Sequence, residues 1–135
     1  MTTAEEVRAI ALLQDTRHGR LALSQNALPF VTLAWHIVVD RAVLLRVHRG
    51  FEYHRACDGN VVAYEADNLG EVEGQDVWSV QCVGVARCVE PTAEELARFG
   101  PLAASAADGE PFDPAYLRID PQFVTVHWLT GTRAH

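Results

Sequence analysis

At Arg20 the spacing of apolar residues switches from a helical to an extended period. From there the chain runs mostly in β-branched and apolar segments divided by short breaks. RLALS, PFVTLAWHIVV and AVLLRVH are separated only at Gln25-Asn26 and at Asp40-Arg41, which predicts a three-strand meander. NVVAYEAD, VWSVQCVGVARCVEP, YLRIDP and QFVTVHWLTG follow as further strands, about seven in all. Consecutive strands are joined by connections too short for parallel crossovers, so the expected sheet is antiparallel, a closed or partly closed barrel. Gly84, in the middle of the longest strand, marks a bulge or a bend.

The helical parts are short. Thr3-Ala4-Glu5-Glu6 reads as a capping box opening a helix that runs to about Asp15 and stops at His18-Gly19. The polar stretch GFEYHRACDG, between Gly50 and Gly59, has room for a short helix. Thr92 and Glu95 box the start of TAEELARF. LGEVEGQD reads as an acidic loop and GPLAASAADGEPFDP as a long one.

With 135 residues, the chain suits one domain, 1–135, and 49% apolar composition is enough for a core without disulfides or structural metal. The net charge of -7, from 18 acids against 11 bases, argues against a general nucleic-acid binder, which needs a basic face. The cysteines (Cys57, Cys82, Cys88) form no CxxC pair, and Cys82 and Cys88 are expected to pack as small hydrophobes. The opening MTTAEEVRAI has no basic n-region or apolar h-region, and no stretch approaches the ~20 apolar residues of a membrane span. A cytoplasmic protein without membrane contact is expected.

Several segments together resemble a known family. His18-Gly19-Arg20-Leu21-Ala22, followed by Pro29 opening a strand, is similar to the first hairpin of pyridoxamine-phosphate-oxidase-like split barrels. Val62 to Asp67 resembles that family's V-A-F-E-V-D strand. Trp78-Ser79-Val80 with Gly84 and Ala86 resembles its W-S-V-x-x-x-G-x-A strand, and Arg118-Ile119-Asp120-Pro121 its closing R-I-x-P. The resemblance implies a mainly β, FMN-binding split barrel that dimerises with itself, with cofactor sites built across the subunit interface. Some relatives hold heme or a deazaflavin instead, and others are linked to nitroimidazole resistance.

The same resemblance exposes a departure. Where the family places a cation in G-S-K or G-S-R-K, this chain has Gly50-Phe51-Glu52-Tyr53. Where the family has a proline and Asn-Tyr, it has Leu33 and Trp35-His36. A basic cluster remains nearby in Arg46, His48, Arg49, His54 and Arg55, and a guanidinium fork suits phosphate oxygens. A two-residue turn at Asp40-Arg41 would pair residue 39 with 42, 35 with 46 and 33 with 48. Trp35, Arg46 and His48 would then share one face, with His36, Leu45 and Val47 on the other. The candidate cofactor contacts on this hairpin and beyond it are Trp35, Arg46, Val47, His48, Arg49 and Arg55. Trp78 and Ser79, read first as packing residues, join them because the resemblance brings their strand to the flavin ring. For Trp35, burial in the core or at a dimer interface competes with ring stacking. Arg46 and Arg49 have solvated strand ends as the plain alternative. His36 and His48 are weighed as metal or heme ligands against structural histidines, the commoner role. Glu65 and Asp67 offer no general-base geometry, and His127 reads as a surface histidine.

No nucleophile elbow, Walker loop, zinc spacing or Ser-His-Asp set occurs, so neither a catalytic residue nor a metal site is assigned. The leading expectation is an FMN-dependent oxidoreductase acting on a small organic substrate, since in such proteins the cofactor carries the redox step. A cofactor-free or divergent ligand-binding dimer is the alternative, and heme binding through His36, His48 or His54 a third. Trp35, Trp78 or Val80 is expected near the dimer boundary.

Overall fold

The computed structural model describes residues 3–71, 76–103 and 109–129. Residues 72–75 of the acidic loop, 104–108 of the long loop and the end of the last expected strand lie outside the described residues. Helix α1 (Ala4–Gln14) precedes a meander of β1 (His18–Gln25), β2 (Leu28–Val39) and β3 (Ala42–His48). A short 3-10 turn (Arg49–Phe51) leads into α2 (Tyr53–Cys57), and β4 (Val61–Asp67), β5 (Val77–Cys88), α3 (Ala93–Phe99) and β6 (Pro114–Leu129) complete the described elements. The strands form one closed antiparallel barrel in the order β1-β2-β3-β6-β5-β4, with β4 returning to β1.

Turn chemistry sets the meander. Val39 pairs with Ala42 across Asp40-Arg41, with Asp40 at φ 55°, and Trp35 pairs with Arg46 as the two-residue turn requires. The ladder ends at that pair, so the expected 33–48 pairing is not made. The first turn sits one residue later than expected: Asn26 and Ala27, both at positive φ, lie between the Gln25–Leu28 pair. Positive φ at both central residues gives the twist a tight hairpin needs.

There are six strands among the described residues, not seven, because the expected break between YLRIDP and QFVTVHW is absent and β6 runs through Pro121. Its register explains how. Gly84 faces Pro121 and Val83 faces Phe123, so Gln122 is an extra residue opposite the Val83–Gly84 step. Proline has no N–H to give a ladder, and the bulge is where that loss is tolerated. Gly84 is required there, since a Cβ would collide with the carbonyl oxygen of Asp120. The bulge also resets the phase of β6. Leu117 and Ile119 point inward before it, and Val124 and Val126 pack on the core after it.

Leu21, Leu45, Val47, Tyr64, Val80, Cys82, Leu117 and Ile119 fill the barrel, and Ala9 and Leu13 of α1 join the same core. Thr3 caps α1 by accepting from the Glu6 N–H at 3.1 Å, but the Glu6 carboxylate pairs with Arg41, so that box is half formed. The Thr92–Glu95 box of α3 is complete. Cys82 is buried as expected, whereas Cys88 is exposed, because it lies at the end of β5 beyond the alternating core positions. Among the described residues no helix is long and apolar enough to cross a membrane.

Ala27 at φ 64° occupies a region that costs an L-residue roughly 1–2 kcal/mol. Ala27→Gly creates an Asn-Gly hairpin turn and should raise unfolding free energy by about 1 kcal/mol, less glycine's own entropic cost. Urea denaturation should show a higher midpoint at unchanged slope.

Candidate functional site

Alternation along a barrel strand sends every second side chain outward, and in a protein that stands alone these should be polar. Here one outward row is apolar. Val31 pairs with Ala22, Ala22 with Ala63, Ala63 with Val83, and Val83 with Phe123, a line crossing β2, β1, β4, β5 and β6. Its two ends are exposed, Val31 at 62% and Phe123 at 66%, and Leu33 extends it on β2. Beside the row lies a groove of about 700 Å³, floored by Ala22, Ala63 and Val83. Its polar edge holds Asn26, Asn60 and Arg55, and among the described residues the Arg55 side chain makes a single 3.8 Å pair, with Glu52. The Asn60 amide donates to the Ala56 carbonyl at 2.7 Å, which ties β4 to α2 at the groove wall.

The adjacent outward row is charged. Arg20 Nη1 lies 2.9 Å from Glu65 and 3.1 Å from Asp67, and the Ser79 hydroxyl donates to Glu65 at 3.3 Å. Burial, then the hydrogen bond and charge of Asp67, push the Glu65 carboxyl up. The bond from Glu65 and the Arg20 charge pull Asp67 down. Glu65 is therefore the member of the pair that keeps a proton to higher pH. Both stand on the outer face.

The outer face of β3 is closed. Arg46 is 4% exposed, which overturns the solvated reading: Nε donates to the Tyr116 hydroxyl at 3.0 Å and Nη1 to the Gly100 carbonyl at 3.0 Å. Its guanidinium lies 4.8 Å from the Phe99 ring centre and 5.5 Å from that of Tyr116. His48 accepts from the Asp113 N–H at 3.2 Å and contacts the rings of Phe51 and Phe112, and Trp35 meets Phe112 edge-on. The His48 ring also covers Gly50, where a Cβ would strike it.

The eight expected contacts are thus divided. Trp35, Arg46 and His48 do share the predicted face, under side chains of their own chain. Val47 and Trp78 point into the core, and so does Val80, so neither Trp78 nor Val80 offers a dimer surface. Ser79 faces outward beside Glu65. Arg49, half exposed, donates to the Pro114 carbonyl, and only Arg55 lines the groove. Glu52, at the family's cation position, adopts left-handed geometry (φ 61°) and its side chain is exposed. Behind it, His54 is buried with Nδ1 lacking a partner among the described residues. Burial, then Arg49 and Arg55, hold its pKa below the usual value.

Inside the barrel, His36 accounts for both ring nitrogens. Nε2 donates to the Leu13 carbonyl at 2.9 Å, which leaves Nδ1 to accept from the Tyr64 hydroxyl in a short hydrogen bond. The structural reading of His36 holds, and no nitrogen is left for heme or metal. Burial lowers the His36 pKa and raises that of Tyr64, so the pair is neutral. Buried Cys57 and Cys82 are pushed up to about 11 and about 12, which leaves them as thiols.

Comparison with known proteins decides the family. The profile of pyridoxamine 5'-phosphate oxidase matches residues 5–128. The chain belongs to the pyridoxamine 5'-phosphate oxidase family. Its fold is similar to that of an FAD-binding protein from Mycobacterium smegmatis, with TM-score 0.70 and 25% identity over 95% of this chain and 98% of the other. A Corynebacterium glutamicum protein described as a pyridoxamine 5'-phosphate oxidase gives TM-score 0.65 and 25% identity over 93% and 90%. A heme-binding protein from Mycobacterium smegmatis gives TM-score 0.59 and 25% identity, covering 99% of this chain and 56% of that one. An uncharacterised Mycobacterium tuberculosis protein is 35% identical over 96 residues, spanning 67% of this chain and 62% of its own length.

In this member of the family the groove residues Ala22, Asn26, Asn60, Ala63 and Val83 escaped the sequence reading. Their signal was present in one respect, since Val31 and Leu33 stand at alternate positions of β2 where a solvated face carries polar residues. The partnering of Ala22 with Ala63 needed barrel closure.

Because the unfolded state binds a proton at His36 more readily than the folded state, this contribution to stability is complete above pH about 6.5 and is lost progressively as pH falls below it. Unfolding free energy should fall by up to ~1.4 kcal/mol per pH unit there on account of this one group. Denaturant titrations at several pH values should show a shallower loss for His36→Gln.

Proposed function

We propose that this chain is a homodimeric flavin-binding member of its family, an oxidoreductase for a small organic substrate, with FMN as its flavin. The observation that carries the reading is the groove of about 700 Å³ opening onto the outward apolar row. The apolar floor of Ala22, Ala63 and Val83 suits a fused ring, and Arg55 with the Asn26 and Asn60 amides suits its polar and phosphate end. The buried Nδ1 of His54, in the segment that carries Arg55, has no partner among the described residues and is a further polar atom able to meet a ligand. The FAD-binding relative from Mycobacterium smegmatis supports a flavin.

A bound flavin supplies hydride or electron transfer at its ring. The chain's residues do the rest: the apolar row excludes water, and Arg55 and the amides hold the charged end. Glu65, its carboxyl pushed up by burial and by Asp67, accepts from the Ser79 hydroxyl at the margin of the row. A second copy laid on Val31, Leu33 and Phe123 would cover the exposed apolar side chains and roof the groove. Three free cysteines accord with a reducing cytoplasm.

One observation favours a second reading, a cofactor-free dimer. Arg46 and His48, the basic residues nearest the expected flavin face, are already committed to Tyr116, Gly100 and Asp113.

The visible spectrum separates these readings. Purified protein, or protein mixed with FMN or FAD at micromolar concentration, should show flavin absorbance that stays with it through gel filtration. A colourless protein that takes up neither supports the second reading, and a Soret band would point to heme. Phe123→Asp places a charge on an exposed position and should convert a dimer, read by light scattering, into a monomer with weakened flavin uptake.

A further inference from the structure

A separate cavity of about 290 Å³ lies between the end of α1, β2 and α3, edged by Gln14, Thr16, Arg17, His36 and Arg98. Among the described residues no carboxylate lines it. In a chain with seven more acids than bases, that is a local reversal of sign. Arg17 Nη2 donates to the Phe99 carbonyl at 3.2 Å and Arg98 Nη2 to the Val38 carbonyl at 2.6 Å. Among the described residues neither has an acidic side chain within ion-pair distance. A carbonyl dipole orients a guanidinium without cancelling its charge, so each arginine is held in place with most of its donors uncommitted. Arg46, buried and likewise without a carboxylate partner among the described residues, donates to the Gly100 carbonyl and adds a third positive charge at the same end of α3.

Capping of the last carbonyls of α3 accounts for Arg17 and Arg46. It does not account for Arg98, which leaves its own helix to reach a carbonyl on β2. Two guanidinium forks, each anchored to a backbone carbonyl and both edging one small cavity with the Gln14 amide, match the oxygens of a compact anion. We infer that this cavity is a binding site for a small oxyanion, a phosphate or carboxylate group, held between Arg17 and Arg98. The bound anion would bridge the α1–β1 connection to α3 and so fasten α3 over Arg46 on the outer face of β3. None of the residues edging this cavity lines the groove assigned to the flavin, so the inference stands whether or not a flavin binds.

Inorganic phosphate is the probe. Calorimetric titration of the full chain at low ionic strength, with equal-strength chloride as the reference, should give a saturable heat. Arg98→Ala and Arg17→Ala each remove a charge-assisted partner and should weaken phosphate binding about tenfold or more. Arg87→Ala, an exposed arginine outside the cavity, should leave it unchanged. A second readout is the His36 imidazole resonance, which should move on phosphate addition because the ring edges the cavity. Absence of a saturable heat, an equal loss in Arg87→Ala, or unaltered binding in Arg98→Ala would each overturn the site.

Discussion

Closure of the barrel between β1 and β4 is the constraint on which the rest of the molecule depends. Only three residue pairs make it, Arg20–Glu65, Leu21–Tyr64 and Ala22–Ala63. The approach is close: a Cβ at Gly19 would collide with the Glu65 carbonyl and sit 2.6 Å from the Tyr64 hydroxyl. Glycine at position 19 is therefore what lets the two strands meet. Their meeting sets Leu21 and Tyr64 inside, sets Arg20 against Glu65 outside, and joins Ala22 to Ala63 in the apolar row. Without this short ladder β1 and β4 would be open edges, and neither the groove nor the His36–Tyr64 pair would be enclosed.

Polar groups inside are handled by saturation rather than by charge. His36 and Tyr64 satisfy one another and the end of α1 while both remain neutral, which avoids the cost of an unpaired buried ion. Arg46 cannot be neutral and is accommodated differently, with two hydrogen bonds and two aromatic faces in place of a carboxylate. This arrangement binds α3 to β3 and β6, and it is why the face that a strand diagram assigns to a ligand is filled by the protein's own Phe99, Phe112 and Tyr116.

The legible parts of the sequence were the local ones. The switch of period at Arg20, the Thr92–Glu95 box and the Asp40-Arg41 turn each depend on residues within a few positions of one another, and each stands as read. The break expected at Pro121 failed because a bulge absorbs the missing N–H, and that bulge depends on Gly84 in another strand. Of the expected contacts, the grouping of Trp35, Arg46 and His48 followed from one hairpin register and was correct. The burial of Arg46 was not legible, since it comes from Phe99, Gly100 and Tyr116, more than fifty positions away. Trp78 packs in the core, the first role read for it, while alternation along one strand gave two faces without saying which is the inside.

By itself, the sequence determined the strand periods, the antiparallel connections, the helix caps and the family, because these are written in neighbouring residues and in their order. Tertiary structure alone decided which alternate face is the core, that β1 meets β4, and that three arginines without acidic partners among the described residues gather at one helix end. Those outcomes rest on contacts between segments far apart in the chain, where closure of the barrel, and not local propensity, selects the neighbours.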